Sequence, residues 1–366
     1  MNKMVVSVIG ARPQFIKAAI VSKAFRGVGI KEEIIHTGQH YDPEMSDHLI
    51  QQLGIENIAL NLDVGSGSHA TQTAQMMTRF EAFLSRSNDV GAVVVYGDTN
   101  STLAAALVAS KLQIPIVHVE AGLRSYNRDM PEEINRVVVD HLSHILFCSS
   151  QEGQDNLTKE GIVRGVSIVG DVMLDAFNYY EVASAIVESP IVAAGIDKTK
   201  KIGLVTLHRP ANVDNAELFQ SIVDEIGETN LDYLWPIHPR TSLAINNIRK
   251  PSNIHFCKPL NYFQMLKMLK DCSFVITDSG GLQKEAYWAR KKCVTVRDET
   301  EWIETLQGGW NSLHSPFGEV RLKDRLVQKV TSKWIPLYGD GRASQRIAQS
   351  VKDCLNGFFN GICYAG

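Results

Sequence analysis

Residues 118–136 read HVEAGLRSYNRDMPEEINR, and three glutamates, Glu120, Glu132 and Glu133, share this stretch with three arginines, Arg124, Arg128 and Arg136. An apolar run at 114–119 leads straight into the first glutamate. Carboxylates crowded together raise one another's pKa, which lets side-chain acids and bases work near neutral pH. Two further stretches carry groups of the same kind. The run 4–9 is followed by GARPQFIK, with Arg12 and Lys17; the run 92–96 is followed by GDTNST, with Asp98 just past its end. The runs 92–96 and 114–119 are joined by one helical stretch, so they are expected to be parallel neighbours with Asp98 and Glu120 on one rim. Glu132 opens the next helix after Pro131, and Arg136 follows one turn later. Taken singly, each residue reads as a turn or first-turn helix charge. Taken together at matching strand ends, they read as a site for proton transfer.

The second half places a different set at its strand ends. The run 202–207 ends in HRPAN, with His208 and Arg209, and 232–237 ends in HPR, with His238 and Arg240. The run 273–277 enters DSGGLQKEA. There Ser279, Gly280 and Gly281 are expected to offer backbone N–H groups at a helix N-terminus, which suits a phosphate. Glu285, one turn on, suits a ribose diol by analogy with dinucleotide folds. The set points to a nucleotide diphosphate. His118, His141 and His144 read as packing or capping residues, and Asn100 or Ser101 as the cap of the helix after Asp98.

These groups need a rigid frame, and the rest of the sequence supplies one. Short apolar runs alternate with helix-period stretches, the mark of parallel sheets covered on both faces. Strands are expected at 4–9, 32–36, 92–96, 114–119, 144–148 and 166–169, then at 202–207, 232–237, 253–257, 273–277 and 293–296. Helices fit 14–26, 44–53, 69–85, 101–112, 131–142 and 151–160, then 214–228, 261–270, 281–290, 320–331 and 341–358. The fold class is therefore α/β, with two Rossmann-like domains facing a cleft. Their expected extents are 1–172, joined by the C-terminal segment at about 341–366, and 173–340. Ligands of open α/β sheets bind at the carboxyl ends of the strands, where the unusual residues fall.

At 366 residues the chain suits two domains, and 44% hydrophobic with 21% charged residues is ordinary for a globular protein. A net charge of -3 gives no basic field for nucleic acid. None of the six cysteines forms a C-x-x-C pair, so neither a zinc site nor a disulfide framework is expected. No apolar run reaches the length of a membrane span, and a cytoplasmic location follows by default.

The chain resembles the non-hydrolysing UDP-N-acetylglucosamine 2-epimerases. The resemblance rests on GARPQFIKAA, HTGQHYD, YGDTNSTLAAAL, HVEAGLRS, MPEEINR, TLHRPAN, IHPR, TDSGGLQKEA and VRDETE, and covers nearly the whole chain. It implies a GT-B arrangement with a C-terminal helix crossing back to the first domain, a homodimer, and no redox cofactor or obligatory metal. The implied reaction removes the C2 proton as UDP leaves C1, giving a 2-acetamidoglucal, and then returns UDP with the proton on the other face. Matched to the family, Asp98, Glu120 and Glu132 are its catalytic carboxylates, with His208 and Lys17 beside them. Arg12 and Arg136 match basic residues near the substrate, and His238, Ser279, Gly280, Gly281 and Glu285 match the UDP site. Gln39 and His40 match regulatory contacts in some relatives.

Several positions depart from the family's usual pattern. Gln14 stands where an acid is common, GSGSHATQT fills 65–73, Arg128 is an extra cation and Trp302 follows RDETE. The combination looks more like the subgroup acting on UDP-2,3-diacetamido-2,3-dideoxyglucuronic acid, whose carboxylate or second acetamido group Arg128 or His69 would meet. A GT-B glycosyltransferase, a hydrolysing epimerase and a UDP-sugar-sensing binding protein are the alternatives. The setting the resemblance implies is O-antigen or capsule precursor synthesis.

Overall fold

The structure, a computed structural model, describes residues 3–39, 43–87, 89–197, 199–229 and 231–358. His40 and Cys363 lie outside the described residues. The chain divides into two units: unit 1 runs from the N-terminus to Ala176 and resumes at Tyr338, and unit 2 is Phe177–Leu337.

Unit 1 is built on β1 (Met4–Ile9), β2 (Glu32–His36), β3 (Ile58–Asn61), β4 (Val90–Tyr96), β5 (Ile116–Ala121), β6 (Ile145–Cys148) and β7 (Val166–Ile168). They form one parallel sheet in the order β3-β2-β1-β4-β5-β6-β7. Unit 2 is built on β8 (Ile202–Thr206), β9 (Asp232–Pro236), β10 (Ile254–Cys257), β11 (Phe274–Thr277), β12 (Lys292–Thr295) and β13 (Asn311–Leu313). Its parallel sheet runs β10-β9-β8-β11-β12-β13. In both, the strand order reverses beside the first strand of the unit, which opens a crevice at the carboxyl ends.

The alternating α/β pattern read from the sequence is the one observed. The central strands are continuous Val/Ile/Leu runs because helices cover both faces. Val6, Val8, Val93, Val95 and Ile116 pack with Phe80, Leu84, Ala105 and Ala109 from two helices of unit 1. Val205, Trp235, Ile276 and Val294 pack with Phe219 and Ile222 in unit 2. The sequence pattern misses β3 and β13, both edge strands, and the short helix Pro239–Ile245. β3 is half-buried to exposed and only four residues long, with a run of three apolar residues, Ile58, Ala59 and Leu60, too short to mark a strand. The helix expected at 320–331 spans only Leu322–Val327, and the last α-helix is Ala343–Asp353.

That last helix packs on Arg12–Val28 in unit 1. Its N-terminus has no cap from its own first residue. The Asp175 carboxylate supplies one instead, accepting from the Ala343 N–H at 3.1 Å, the Ser344 N–H at 2.7 Å and the Ser344 hydroxyl at 2.6 Å. Among the described residues no helix is long and apolar enough to cross a membrane.

Candidate active site

The unit 1 rim starts with Gln14, in the first turn of Arg12–Val28. This side chain is 2% exposed. Its Oε1 accepts from the N–H groups of Gly10 (2.8 Å) and Ala11 (3.0 Å). Its Nε2 donates to the Tyr96 carbonyl (2.8 Å), Thr102 Oγ1 (2.9 Å) and Thr99 Oγ1 (3.0 Å). One amide thus ties the turn after β1 to the turn after β4. A carboxylate here has no donor for the Tyr96 carbonyl, which gives the departure at position 14 a local reason. Thr99, not Asn100 or Ser101, caps the helix after Asp98.

Asp98, Glu120, Lys17 and Arg136 come together at this rim. Lys17, itself buried, pairs with Glu120, and Arg136 pairs with Asp98. Arg136 also reaches Glu133 at 3.1 Å. Burial raises the Asp98 pKa above the usual carboxylate value; Arg136 opposes the rise, Glu120 adds to it and Lys17 opposes it. Burial works against the Arg136 charge, but Asp98, Glu133 and Glu120 outweigh it and raise its pKa. The rim therefore holds opposed charges at close range in a poorly solvated place, which suits proton transfer coupled to movement of an anion.

Glu120 does not follow the strand, as the apolar run suggests; it lies within β5. Val119 pairs with Phe147 and Ala121 with Cys148, so Glu120 is the extra residue of a β-bulge. Its φ is +73°. A bulge re-aims a side chain, and a left-handed non-glycine residue costs about 1–2 kcal/mol. The side chain is sent toward Gly97, at the end of β4. A Cβ at Gly97 would stand 3.3 Å from Glu120 Oε2 and 3.6 Å from Lys17 Nζ, at φ +61°. Glycine before Asp98 keeps room for the pair.

The two glutamates of MPEEINR part company. Glu133, 2% exposed, accepts from the Ser125 N–H (2.9 Å), the Ser125 hydroxyl (3.0 Å) and the Tyr126 N–H (2.9 Å), pinning the loop after β5. Glu132 stands exposed in the first turn of the helix Pro131–Leu142. His118, read from the sequence as a packing or capping residue, is fully buried and meets Asp140 Oδ1 at 2.7 Å and the Gly97 carbonyl at 2.8 Å. Arg124 bridges Asp140 (2.7 Å) and Glu160 (2.6 and 2.7 Å). Sequence reading passed over Asp140, whose only signal is an acid on an otherwise inward-facing helix position.

Other candidates lie around this rim. Arg12 is half-buried at the start of its helix, and Arg128 is exposed. Gln39 Oε1 accepts from Ser101 N–H (3.1 Å) and hydroxyl (2.6 Å). His69 is exposed, its Nδ1 within 3.1 Å of the Asn100 amide.

At the unit 2 rim, His208 and His238 lie with ring centroids 4.9 Å apart, tilted by 30°. His238 Nδ1 accepts from the Arg240 N–H at 3.2 Å, capping Pro239–Ile245. Asp278, fully buried and unnoticed in the sequence reading, organises the loop. It accepts from the N–H groups of His208 (3.0 Å) and Arg209 (2.8 Å) and from the Asn212 amide (3.0 Å), and lies 3.2 Å from His208 Nδ1. Ser279 starts the helix Gly280–Trp288 without a side-chain cap, leaving the first N–H groups of the helix available to an anion. A Cβ at Gly280 would stand 2.3 Å from Glu301 Oε1, so a side chain there would have to displace the Glu301 carboxylate. Burial works against the Glu301 charge, but Arg297 at 2.8 Å outweighs it and holds its pKa below the usual carboxylate value. Glu285 is half-buried one turn into the helix. Lys284 is buried, its ammonium 3.7 Å from the Trp302 ring centroid.

A family model described as UDP-N-acetylglucosamine 2-epimerase matches residues 23–352. A Methanococcus maripaludis protein named a UDP-N-acetylglucosamine 2-epimerase homolog is 41% identical over 363 residues, covering 95% of this chain and 99% of its own length. The UDP-2,3-diacetamido-2,3-dideoxy-D-glucuronate 2-epimerase of Pseudomonas aeruginosa is 42% identical over 359 residues, covering 94% of this chain and 98% of its own. The crystal structure of Methanocaldococcus jannaschii UDP-GlcNAc 2-epimerase in complex with UDP-GlcNAc and UDP superposes with a TM-score of 0.83 at 36% identity, covering 96% of this chain and 100% of that one.

Proposed function

The chain belongs to the UDP-N-acetylglucosamine 2-epimerase family, and from that premise we propose that it inverts C2 of a UDP-2-acetamido sugar by eliminating UDP and adding it back. It is an isomerase of UDP-sugars, with UDP-N-acetylglucosamine as first substrate and a UDP-N-acetylmannosamine-type product. The observation that carries the mechanism is the charge cluster at the ends of β4 and β5, with Asp98 held by Arg136 and Glu120 by Lys17.

A carboxylate of this cluster takes the C2 proton. The C1–O bond to the β-phosphate breaks, and its electron pair leaves with UDP. The sugar becomes a 2-acetamidoglucal with a C1=C2 double bond. The UDP oxygen then adds to C1, and a proton returns to C2 on the opposite face. Two carboxylates serve two faces, and the raised pKa of Asp98 brings one of them closer to neutrality. Lys17 and Arg136 offset charge as it develops. Glu132, exposed, is kept as a third carboxylate. Arg12, His208, His238, Glu285 and the helix start at Ser279, Gly280 and Gly281 are assigned to the UDP moiety, His208 with a part in the chemistry. Assembly as a homodimer, a cytoplasmic location and supply of polysaccharide precursors belong to the same proposal.

The 42% identity to the Pseudomonas aeruginosa enzyme favours UDP-2,3-diacetamido-2,3-dideoxyglucuronic acid as the second substrate to try, with Arg128 as the cation for its carboxylate. Proton NMR in D2O with each sugar tests both. Deuterium at C2 with a manno-configured UDP-sugar establishes epimerisation and names the substrate. Free N-acetylmannosamine with released UDP would mean hydrolysis, and UDP release that needs an acceptor would mean glycosyl transfer.

A further inference from the structure

We propose that His118 is a positioning residue of the epimerisation, held as a double hydrogen-bond donor between Asp140 and the Gly97 carbonyl, and that it fixes the backbone carrying Asp98 relative to the backbone carrying Glu120. The inference rests on the reaction proposed above.

The ring is fully buried and both its nitrogens face acceptors, Asp140 Oδ1 at 2.7 Å and the Gly97 carbonyl at 2.8 Å. A carbonyl oxygen has no proton to give. Asp140 has none either: its other oxygen accepts from Arg124 at 2.7 Å and from the Gly122 N–H at 3.1 Å, and these partners suit a carboxylate. Each ring nitrogen thus faces a group that accepts, so His118 is placed to donate to both. His118 and Arg124 outweigh the effect of burial on Asp140 and lower its pKa.

The connections reach both catalytic turns. The Gly97 N–H donates to the Val119 carbonyl at 3.0 Å, so both polar backbone groups of the residue before Asp98 are bonded to β5. Gly122, two residues after Glu120, is bonded to the same Asp140. The helix bearing Asp140 also bears Asn135, whose amide donates to the Asp98 carbonyl at 2.9 Å, and Arg136, which pairs with the Asp98 carboxylate. Fixing Asp140 thus fixes the helix that presents both partners of Asp98. The separation of two acid–base groups needs this kind of support, because a misplacement of about 1 Å can cost about 10²-fold in rate.

The test uses the full chain with UDP-N-acetylglucosamine and with UDP-2,3-diacetamido-2,3-dideoxyglucuronic acid in D2O. His118→Phe keeps the ring and removes both donors. Asp140→Asn removes the counter-ion. Glu160→Gln loosens only the outer end of the network and controls for general destabilisation. Each of the first two is expected to lower kcat for C2 exchange by at least about 30-fold, with KM and the Kd for UDP within threefold of the original chain. The double variant is expected to lose no more than the worse single one, because the two act as one device. Glu160→Gln is expected to keep kcat within threefold. A kcat within threefold in either single variant overturns the inference, and Asp140→Asn decides alone if His118→Phe does not fold. A loss that appears in KM, or equally in Glu160→Gln, also overturns it. Absence of exchange in the unaltered chain with either sugar overturns the functional reading beneath it, an outcome distinct from exchange that survives in the variants.

Discussion

The sheets of units 1 and 2 share the order of their first six strands and reverse it at the same place, beside β1 in one and β8 in the other, yet their rims are furnished differently. Unit 1 lines its rim with side-chain charges in opposed pairs, Lys17 with Glu120 and Arg136 with Asp98, and sets one of them on a left-handed bulge. Unit 2 offers backbone N–H groups at an uncapped helix start and two adjacent imidazoles, and its buried Asp278 is spent on holding a loop. On the proposed reading, one topology supports two tasks. Groups that must change charge are kept close and poorly solvated. On the same reading, the groups assigned to the diphosphate are backbone N–H donors at a helix start.

The strongest way to break this contrast is Asp98→Asn. If the unit 1 rim performs the proton transfer, C2 exchange falls by about 10²–10⁴-fold, the usual range for a lost general acid or base, while the Kd for UDP stays within threefold. A base must be deprotonated to act, so kcat/KM falls as pH drops through the Asp98 pKa, which lies above the ordinary carboxylate value. Arg136 opposes that rise, so Arg136→Met should move the acid limb to higher pH. A limb that stayed in place would remove Asp98 from the role. Equal losses of UDP affinity and rate would erase the division between the two rims.

Asp278→Ala addresses the other side. It leaves the His208 and Arg209 N–H groups and the Asn212 amide without their shared acceptor. Removing one partner of a buried charged network costs about 3–5 kcal/mol, read as a lower midpoint in urea. UDP affinity should fall at least tenfold, because the loop carrying His208 loses its anchor. A variant with unchanged stability and UDP binding would show that the loop is ordered by other means.

Much of this frame is legible from the chain alone, for physical reasons. Buried parallel strands must be apolar runs, and the loops at their carboxyl ends can be charged, so Asp98, Glu120 and His208 stand out against their neighbours. Charges consumed inside the fold do not stand out. Asp140 and Asp278 are single acids whose partners lie far along the chain or on the backbone, and His118 hides in an apolar run. The choice between Glu132 and Glu133 as the inward glutamate depends on how the loop at 122–130 returns, which no local pattern gives. Gln14 was visible only as a departure; its five hydrogen-bond partners supply the cause. The edge strand β3 was missed because it is only four residues long and mostly exposed, and β13 because its two buried residues, Asn311 and Ser312, are polar.

A smaller effect sharpens the contrast by testing whether a perturbed carboxylate in unit 1 must be functional. Glu32, 7% exposed, lies at the start of β2, away from the carboxyl-end rim, and accepts a hydrogen bond from Ser7 at 2.5 Å. Burial pushes its pKa from 4.5 up to about 6, against the lowering effects of Ser22, Ser7 and Arg26. The folded chain therefore binds the Glu32 proton more tightly than the unfolded chain does. Stability falls as pH rises from about 4.5 to about 6 and is flat beyond, a cost of about 2 kcal/mol at 1.36 kcal/mol per pKa unit. Glu32→Gln keeps an acceptor for Ser7 and carries no charge. It should raise stability by up to about 2 kcal/mol at pH 8 and by nothing at pH 4, with kcat and KM unchanged. Urea titrations at the two pH values separate the outcomes. A gain at both would assign the effect to packing, and a loss of kcat would tie this buried carboxylate to the chemistry at the far end of the sheet. Raised pKa values then mark function in this unit only where, as at Asp98, burial coincides with paired charges at a strand's carboxyl end.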